Sequence, residues 1–167
     1  PVAAASTALG FERFAGGLVQ IGAAPDAFAF DNERPVHRRF VEPFELGTRL
    51  VTNAEMLEFI AAGGYQNPAL WLSDGWAWVR EHGVESPLYW RRDDDGRYHE
   101  FTAHGEQPLD PARPVCHVSG FEAHAFATFA GARLPTEFEW ELAARARCEA
   151  AERGNEPDPR AHAALEA

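Results

Sequence analysis

Residues 114–141, PVCHVSGFEAHAFATFAGARLPTEFEWE, contain two helix starts of the same kind. Ser119 stands three residues before Glu122, and Thr136 stands three residues before Glu139. At this spacing the hydroxyl accepts a hydrogen bond from the third helical amide, while the carboxylate accepts one from the amide of the capping residue. Apolar residues follow at helical spacing in both cases. The stretch therefore predicts two helices and the short loop that joins them.

A third helix start of this kind lies upstream. Thr52 precedes Glu55 by three residues, and apolar residues again follow at helical spacing. Gly63-Gly64 and Gly131 stand where the C-terminal caps of the first and second predicted helices belong. We expect three capped helices from these signals.

The remaining regular structure is expected to be short strands. Residues 14–21 carry β-type side chains around two glycines and predict a first strand. A loop rich in Pro, Asp and Asn follows at 25–35. Residues 37–52 then alternate in patches, which predicts a second strand or a hairpin interrupted at Pro43.

The stretch between the first two predicted helices is long and irregular in pattern. Within it, Tyr89-Trp90 and residues 98–101 flank Asp95-Gly96, a pair typical of a hairpin turn. The sequence contains long irregular segments and also five Trp, three Tyr and twelve Phe. It therefore indicates a loop-rich α+β domain whose core is packed by aromatic rings.

Bulk composition excludes several classes of function. A chain of 167 residues is the size of one domain, and its net charge of −11 disfavours binding to nucleic acid or to anionic membranes. No apolar run approaches the length of a membrane span, and the first residues lack the basic start of a signal peptide. Two cysteines without CxxC spacing fit a reducing compartment. We expect a cytoplasmic location.

Several segments together resemble the formylglycine-generating-enzyme (sulfatase-modifying factor) domain, whose fold is related to C-type lectins. The shared segments are V-T-N (51–53), P-V-x-H-V-S (114–119), E-A (122–123), G-x-R-L-P-T-E-x-E-W-E (131–141) and A-A (143–144). The resemblance implies a loop-rich α+β fold of the formylglycine-generating-enzyme and C-type-lectin-like kind.

A narrower resemblance is to the sulfoxide synthases of ergothioneine biosynthesis. It rests on FDNERPVH (30–37), GGY (63–65), W-L-S-x-G-W-x-W (71–78) and P-L-Y-W (87–90). Members of this family use non-haem Fe(II) and O2 to join a cysteine-containing thiol to trimethylhistidine. The resemblance implies the same oxidoreductase activity for the intact protein, with these small molecules as substrates.

The resemblance also implies partners that this chain lacks. The family's iron is held by an H-x3-H-x-E type motif in an N-terminal helical bundle, and that motif is absent here. The family's domain also continues past the E-W-E helix with residues that lie near the substrates. We therefore expect the N-terminal half of the domain, which serves as scaffold and pocket wall and is inactive alone. Fe(II) would be bound outside it, with the bundle and the C-terminal remainder as partners. The expected divisions are an arm or linker at 1–12, the domain at 13–146, and a divergent tail or linker at 147–167.

Aromatic residues form the one candidate substrate-binding group: Tyr65, Trp71, Trp76, Trp78, Tyr89 and Trp90. Their rings suit a quaternary ammonium such as that of trimethylhistidine. They also suit the core of a loop-rich domain. We favour the core over the pocket, because the ammonium contacts known in the family that the chain resembles lie elsewhere.

The other candidates are assigned structural roles: Thr52, Glu55, Ser119, Glu122, Arg133, Thr136, Glu137 and Glu139. Most of them cap helices, and Arg133 with Glu137 is predicted to be an ion pair at the third helix. No residue is predicted to be catalytic. The histidine spacings give no convergent metal-ligand pair, and the consecutive acids at 93–95 predict a solvated turn instead of a calcium loop.

Two further residues are expected to be buried, namely His117 as a loop anchor and Cys116 as an inert thiol. Two alternatives to the synthase hypothesis stay open: a non-catalytic binding module of the same fold, and a related 5-histidylcysteine sulfoxide synthase.

Overall fold

The computed structural model describes residues 8–26 and 28–154, and side chains within them up to Ala150. The strands are β1 (Phe11–Phe14), β2 (Gly17–Ile21), β3 (His37–Val41), β4 (Phe44–Gly47), β5 (Trp90–Arg92), β6 (Tyr98–Thr102) and β7 (Gly105–Pro108). The helices are α1 (Asn53–Ala61), α2 (Ser73–His82), α3 (Gly120–Phe129) and α4 (Glu137–Gly154). This confirms the expected mixed α+β, loop-rich fold.

The described chain divides into two units. One contains residues 8–9 and Arg49–Leu134, and the other contains Gly10–Thr48 and residues 135–154. The interval predicted as one domain, 13–146, is thus shared between them. The helix α4 continues through residue 147 to Gly154, and the rest of the predicted tail lies outside the described residues.

The unit that contains α4 is built on two antiparallel strand pairs. β1 pairs with β4, and β2 pairs with β3. The predicted hairpin at 37–52 is therefore wrong: β3 and β4 are separate strands, and each pairs with an earlier strand. The predicted first strand is also divided, so that β1 and β2 flank Ala15 and Gly16.

Gly16 is the physical reason for that division. Its φ is +66°, a left-handed conformation, and a Cβ atom there would lie 2.2 Å from the carbonyl oxygen of Val41. Glycine alone fits such a turn without a clash. The chain can therefore change direction between β1 and β2.

We expect Gly16→Ala to lower the free energy of unfolding by about 2–4 kcal/mol, because the added methyl group meets backbone atoms and φ is strained. Urea denaturation measures this change. Gly120→Ala is the matched control, since a Cβ atom there meets nothing within 4 Å. Equal losses in the free energy of unfolding for the two substitutions would show that a methyl group at residue 16 does not clash with the Val41 carbonyl oxygen.

The core of this unit lies between the strands and α4. Val41, Phe44 and Ala143 are buried, and Phe14 stacks on Phe44 with 5.0 Å between ring centroids. Phe138 of α4 packs against the same cluster, beneath the guanidinium of Arg39 at 4.5 Å.

The other unit begins with α1, which starts as predicted. The Thr52 hydroxyl accepts from Glu55 N, and the Glu55 carboxylate accepts from Thr52 N at 2.8 Å. The same reciprocal bonds open α3 at Ser119 and α4 at Thr136, which confirms all three predicted helix starts.

The helix α2 lies in the stretch that we expected to be irregular. It begins after Leu72, whose side chain caps nothing, and Gly75 stands in its first turns. A Cβ atom at Gly75 would lie 2.8 Å from Phe121, so this glycine permits close packing of the two segments. The expectation failed because no capping box opens this helix: packing of its first turns stabilises it, and its capping signal is the left-handed Gly83 at its C-terminus.

A three-stranded antiparallel sheet, β5-β6-β7, follows α2. The hairpin turning at Asp95-Gly96 is confirmed, and Gly96 has φ +81° as such a turn requires. The third strand, β7, was not predicted, since its residues GEQP carry no apolar alternation.

Candidate functional site

Three of the six candidate aromatic residues are part of a buried core. Tyr65, Trp71 and Trp90 are at most 8% exposed and pack with Met56 and Phe59. Trp71 Nε1 donates to the carbonyl oxygen of Gly64 at 2.8 Å, which satisfies the buried indole. These three rings are enclosed by protein atoms.

The other three candidate rings keep exposed surface. Trp76 and Trp78 are half-buried on α2 and pack against the edge of the same core. Tyr89 is 51% exposed and meets the ring of His117 edge to face, with centroids 5.0 Å apart. The structure therefore separates the six residues instead of gathering them around one cleft, and their substrate-binding role stays a prediction.

A buried carboxyl group joins this core to α3. Glu122 is 2% exposed, and its Oε1 accepts from the Tyr65 hydroxyl at 2.6 Å. Its Oε2 accepts from Ser119 N at 2.7 Å. Burial, followed by the hydrogen bond to Glu122, raises the pKa of Tyr65 far above its ordinary value, so the phenol stays protonated and donates. The capping pattern indicated Glu122, but not its bond to Tyr65.

The Glu55 carboxylate is part of an ion pair that the capping pattern did not predict. Arg49 Nη2 lies 2.9 Å from Glu55 Oε1, and Nη1 lies 2.9 Å from Oε2, a bidentate contact. The hydrogen bonds from Arg49, together with those from Thr52, lower the pKa of Glu55 from 4.5 to about 2.

This lowered pKa predicts a loss of stability in acid. The pKa is lower in the folded state, so the contribution of Glu55 is complete above pH 4.5 and is lost as pH falls toward about 2. We expect a loss on the order of 1–2 kcal/mol after solvent screening of a surface pair. Urea denaturation of the wild type and Glu55→Gln across this range measures it. The difference between them should shrink toward zero in acid, and a constant difference would refute the assignment.

An open groove of about 490 Å³ lies beside the three-stranded sheet, and it was not predicted. Leu57, Tyr98, Pro108 and Leu109 form its apolar wall, while Asp93, Arg97 and His99 supply its polar side chains. His99 Nε2 lies 3.0 Å from Asp93 Oδ2. None of the six candidate rings lines this groove.

The acidic run at 93–95 is a turn, as predicted. Asp93 Oδ1 accepts from Arg97 N at 2.7 Å, and Gly96 N donates to the Asp93 carbonyl. Within residues 8–26 and 28–154, no three His, Cys, Asp or Glu side chains converge as a metal site. The side chains in this part of the chain therefore provide no ligand set for iron. The same residues contain no helix that is both long and apolar enough to cross a bilayer.

Cys116 and His117 were both expected to be buried, and both are exposed. His117 has φ +60°, and its carbonyl oxygen accepts from Leu88 N at 3.2 Å. The left-handed backbone ends the strand-like alternation that the expectation assumed. The only described bridge in this segment joins Pro114 to Thr52.

The charged residues around the start of α4 have structural contacts. Arg133 Nη1 donates to the carbonyl oxygen of Leu134 at 3.1 Å. Glu141 Oε1 accepts from Gly22 N at 2.9 Å and pairs with Arg145. The ion pair of Arg133 with Glu137 stays a prediction.

Comparisons of the sequence with known proteins show the family to which the chain belongs. The sulfatase-modifying factor enzyme 1-like domain matches residues 5–165. Hercynine oxygenase of Mycolicibacterium smegmatis is 46% identical over 126 residues, which is 75% of this chain and 28% of that protein. Formylglycine-generating enzyme of Thermomonospora curvata is 36% identical over 169 residues, 92% of this chain and 55% of that protein.

A relative whose name describes it as inactive is also similar. The inactive C-alpha-formylglycine-generating enzyme 2 of Bos taurus is 35% identical over 146 residues, 78% of this chain and 46% of that protein. The chain spans less than a third of the length of the hercynine oxygenases that it matches.

Proposed function

Since the chain belongs to the sulfatase-modifying factor enzyme 1-like domain family, we propose that it is part of an Fe(II)- and O2-dependent sulfoxide synthase of ergothioneine biosynthesis. The proposal rests on the sequence identity of the chain, which is 46% to a hercynine oxygenase and 36% to a formylglycine-generating enzyme. Its substrates would be trimethylhistidine, a cysteine-containing thiol and O2. The enzyme would act in the cytoplasm.

This chain would contribute scaffold to that enzyme. The hydrogen bond between Tyr65 and Glu122 connects α3 to the aromatic core. The ion pair of Arg49 with Glu55 stabilises the start of α1. The described side chains converge on no metal. Fe(II), which supplies the oxygen chemistry when bound, would be held by a helical bundle outside this chain, and the C-terminal remainder of the domain would complete the substrate site.

The second candidate is a non-catalytic binding module of the same fold. The inactive bovine relative, at 35% identity, shows that the family contains proteins named as lacking activity. Shared fold alone does not distinguish an enzyme from such a module.

Assay of the full-length protein separates these candidates. We expect O2 consumption and a C–S-bonded sulfoxide product from trimethylhistidine and a thiol donor, with the rate depending on added Fe(II). Cysteine, γ-glutamylcysteine and glutathione are each tested as donors. Product from histidine and cysteine alone would instead identify a 5-histidylcysteine sulfoxide synthase. No product with any pair would favour the binding module.

The same assay tests the aromatic residues that keep exposed surface. If Trp76 and Trp78 are scaffold, Trp76→Leu and Trp78→Leu should leave the KM for trimethylhistidine within about twofold of the wild type. A ring that contacts the quaternary ammonium contributes on the order of 1–2 kcal/mol, so its loss would raise that KM about tenfold. Steady-state kinetics at saturating thiol measure the difference, and a tenfold rise would restore the pocket hypothesis.

A further inference from the structure

The sequence contains two Asp-Gly pairs, and the structure places them in different settings. Asp74-Gly75 lies in the first turn of α2, and Asp95-Gly96 lies in the turn between β5 and β6. Such a pair can react with itself, because glycine has no Cβ atom and its amide nitrogen can approach the carboxyl carbon of the preceding aspartate. The two pairs share this chemistry and differ in the backbone around them.

The Asp95-Gly96 pair lies at the tip of its hairpin. The Asp95 side chain is 75% exposed, and its carboxylate meets Arg97 Nη1 at 3.5 Å in an ion pair that solvent screens. Gly96 N donates to the Asp93 carbonyl oxygen at 3.0 Å, and this bond must open before the nitrogen can react. Exposed turns open at low free energy, since few buried contacts hold them. The folded chain therefore leaves this pair able to react.

The Asp74-Gly75 pair is held in place by packing. Gly75 is buried, and a Cβ atom there would lie 2.8 Å from Phe121. Trp76 N donates to the Leu72 carbonyl oxygen at 2.9 Å, which closes the first turn of the helix around the pair. For the Gly75 nitrogen to reach the Asp74 carboxyl carbon, this turn would have to unwind away from Phe121. The fold therefore protects this pair.

We infer that Asp95 is a site of spontaneous isoaspartate formation in the folded protein. The Gly96 nitrogen attacks Cγ of the protonated Asp95 carboxyl group, the N–Cγ bond forms, and the hydroxyl leaves with the amide proton as water. A second water opens the resulting succinimide. Addition at Cγ restores aspartate, whereas addition at the main-chain carbonyl carbon routes the chain through Cβ and Cγ and frees the α-carboxylate. The reaction exchanges no electrons and needs no reagent other than water.

Isoaspartate at residue 95 would disturb the groove beside the three-stranded sheet. It adds one methylene group to the main chain of a turn whose geometry depends on Asp93. Asp93 Oδ1 accepts from Arg97 N at 2.7 Å, and its Oδ2 lies 3.0 Å from His99 Nε2. These three residues supply the polar side chains of the groove. The modification would therefore change the shape of this groove.

Ageing the folded, full-length protein at physiological temperature and neutral pH tests the inference. Cleavage after glutamate releases residues 59–81 and 86–100, so each Asp-Gly pair lies in a peptide of its own. Isoaspartate in each peptide is measured by mass spectrometry with electron-transfer fragmentation. We expect about tenfold more isoaspartate at residue 95 than at residue 74, because only the turn opens readily. In guanidinium chloride, where both backbones are free, the two amounts should agree within about twofold.

A matched pair of variants assigns the signal to its residue. Asp95→Ser and Asp94→Ser each remove one carboxylate and insert a residue that turns accept. Asp95→Ser should abolish isoaspartate in residues 86–100, because serine cannot form a succinimide, while Asp94→Ser should leave it unchanged. Equal isoaspartate at residues 74 and 95 of the folded protein would overturn the inference, and so would a signal that survives Asp95→Ser. The measurement needs neither substrate nor iron, so its outcome is independent of the proposed function.

Discussion

Replacing Phe59 with alanine is expected to lower the free energy of unfolding by about 3–5 kcal/mol. Phe59 is fully buried, and its ring has four aromatic neighbours. Their centroids lie 5.4 to 6.5 Å away, and the neighbours are Tyr65, Trp71, Phe126 and Phe129. Alanine would leave a cavity that these rigid rings cannot fill, so the loss of burial and the cavity add together.

Urea denaturation followed by tryptophan fluorescence measures this effect. Phe28→Ala is the matched control, because the same side chain is 89% exposed there, and we expect a change within about 0.5 kcal/mol. A loss below about 1 kcal/mol for Phe59→Ala would mean that the aromatic cluster is not the core of its unit.

Removing the carboxyl group of Glu122 is expected to lower the free energy of unfolding by about 3 kcal/mol. Glu122→Ala would leave the buried Tyr65 hydroxyl and the part-buried Ser119 N without their acceptor. An unsatisfied buried donor costs its full desolvation penalty. Ser119→Ala is the control for the cap alone, and we expect it to cost about 1 kcal/mol.

A double-mutant cycle isolates the contact between the two side chains. Tyr65→Phe and Glu122→Met, which removes the acceptor at a similar side-chain length, alone and combined, should show a coupling energy of about 1.5–3 kcal/mol in urea denaturation. Additive effects would show that the 2.6 Å hydrogen bond contributes nothing specific to stability.

The helix starts were predictable because their chemistry is local. Thr52 with Glu55, and Ser119 with Glu122, exchange hydrogen bonds across three residues. The hairpin at Asp95-Gly96 was predictable for the same reason, since a single glycine with positive φ defines the turn. These hydrogen bonds and this turn form within a few neighbouring residues, so they do not depend on the rest of the fold.

The candidate site was less predictable, since exposure depends on distant partners. Of the six aromatic residues, Tyr65, Trp71 and Trp90 are buried and Tyr89 is half exposed, yet nothing in their local sequence distinguishes them. Cys116 and His117 were expected to be buried on an apolar alternation that a left-handed residue interrupts. The sequence shows which side chains are present, but it does not show which of them face solvent.

The sequence by itself determined three capped helices, the hairpin turn and the family, because each rests on residues that are neighbours in the chain. Only the tertiary structure decided that α2 is a helix, that Glu122 binds Tyr65 from 57 residues away, and that Gly75 is packed against Phe121 while Asp95 is exposed in its turn. The physical reason is that packing and burial bring together groups that are far apart in the chain, and no local pattern encodes which of them will meet.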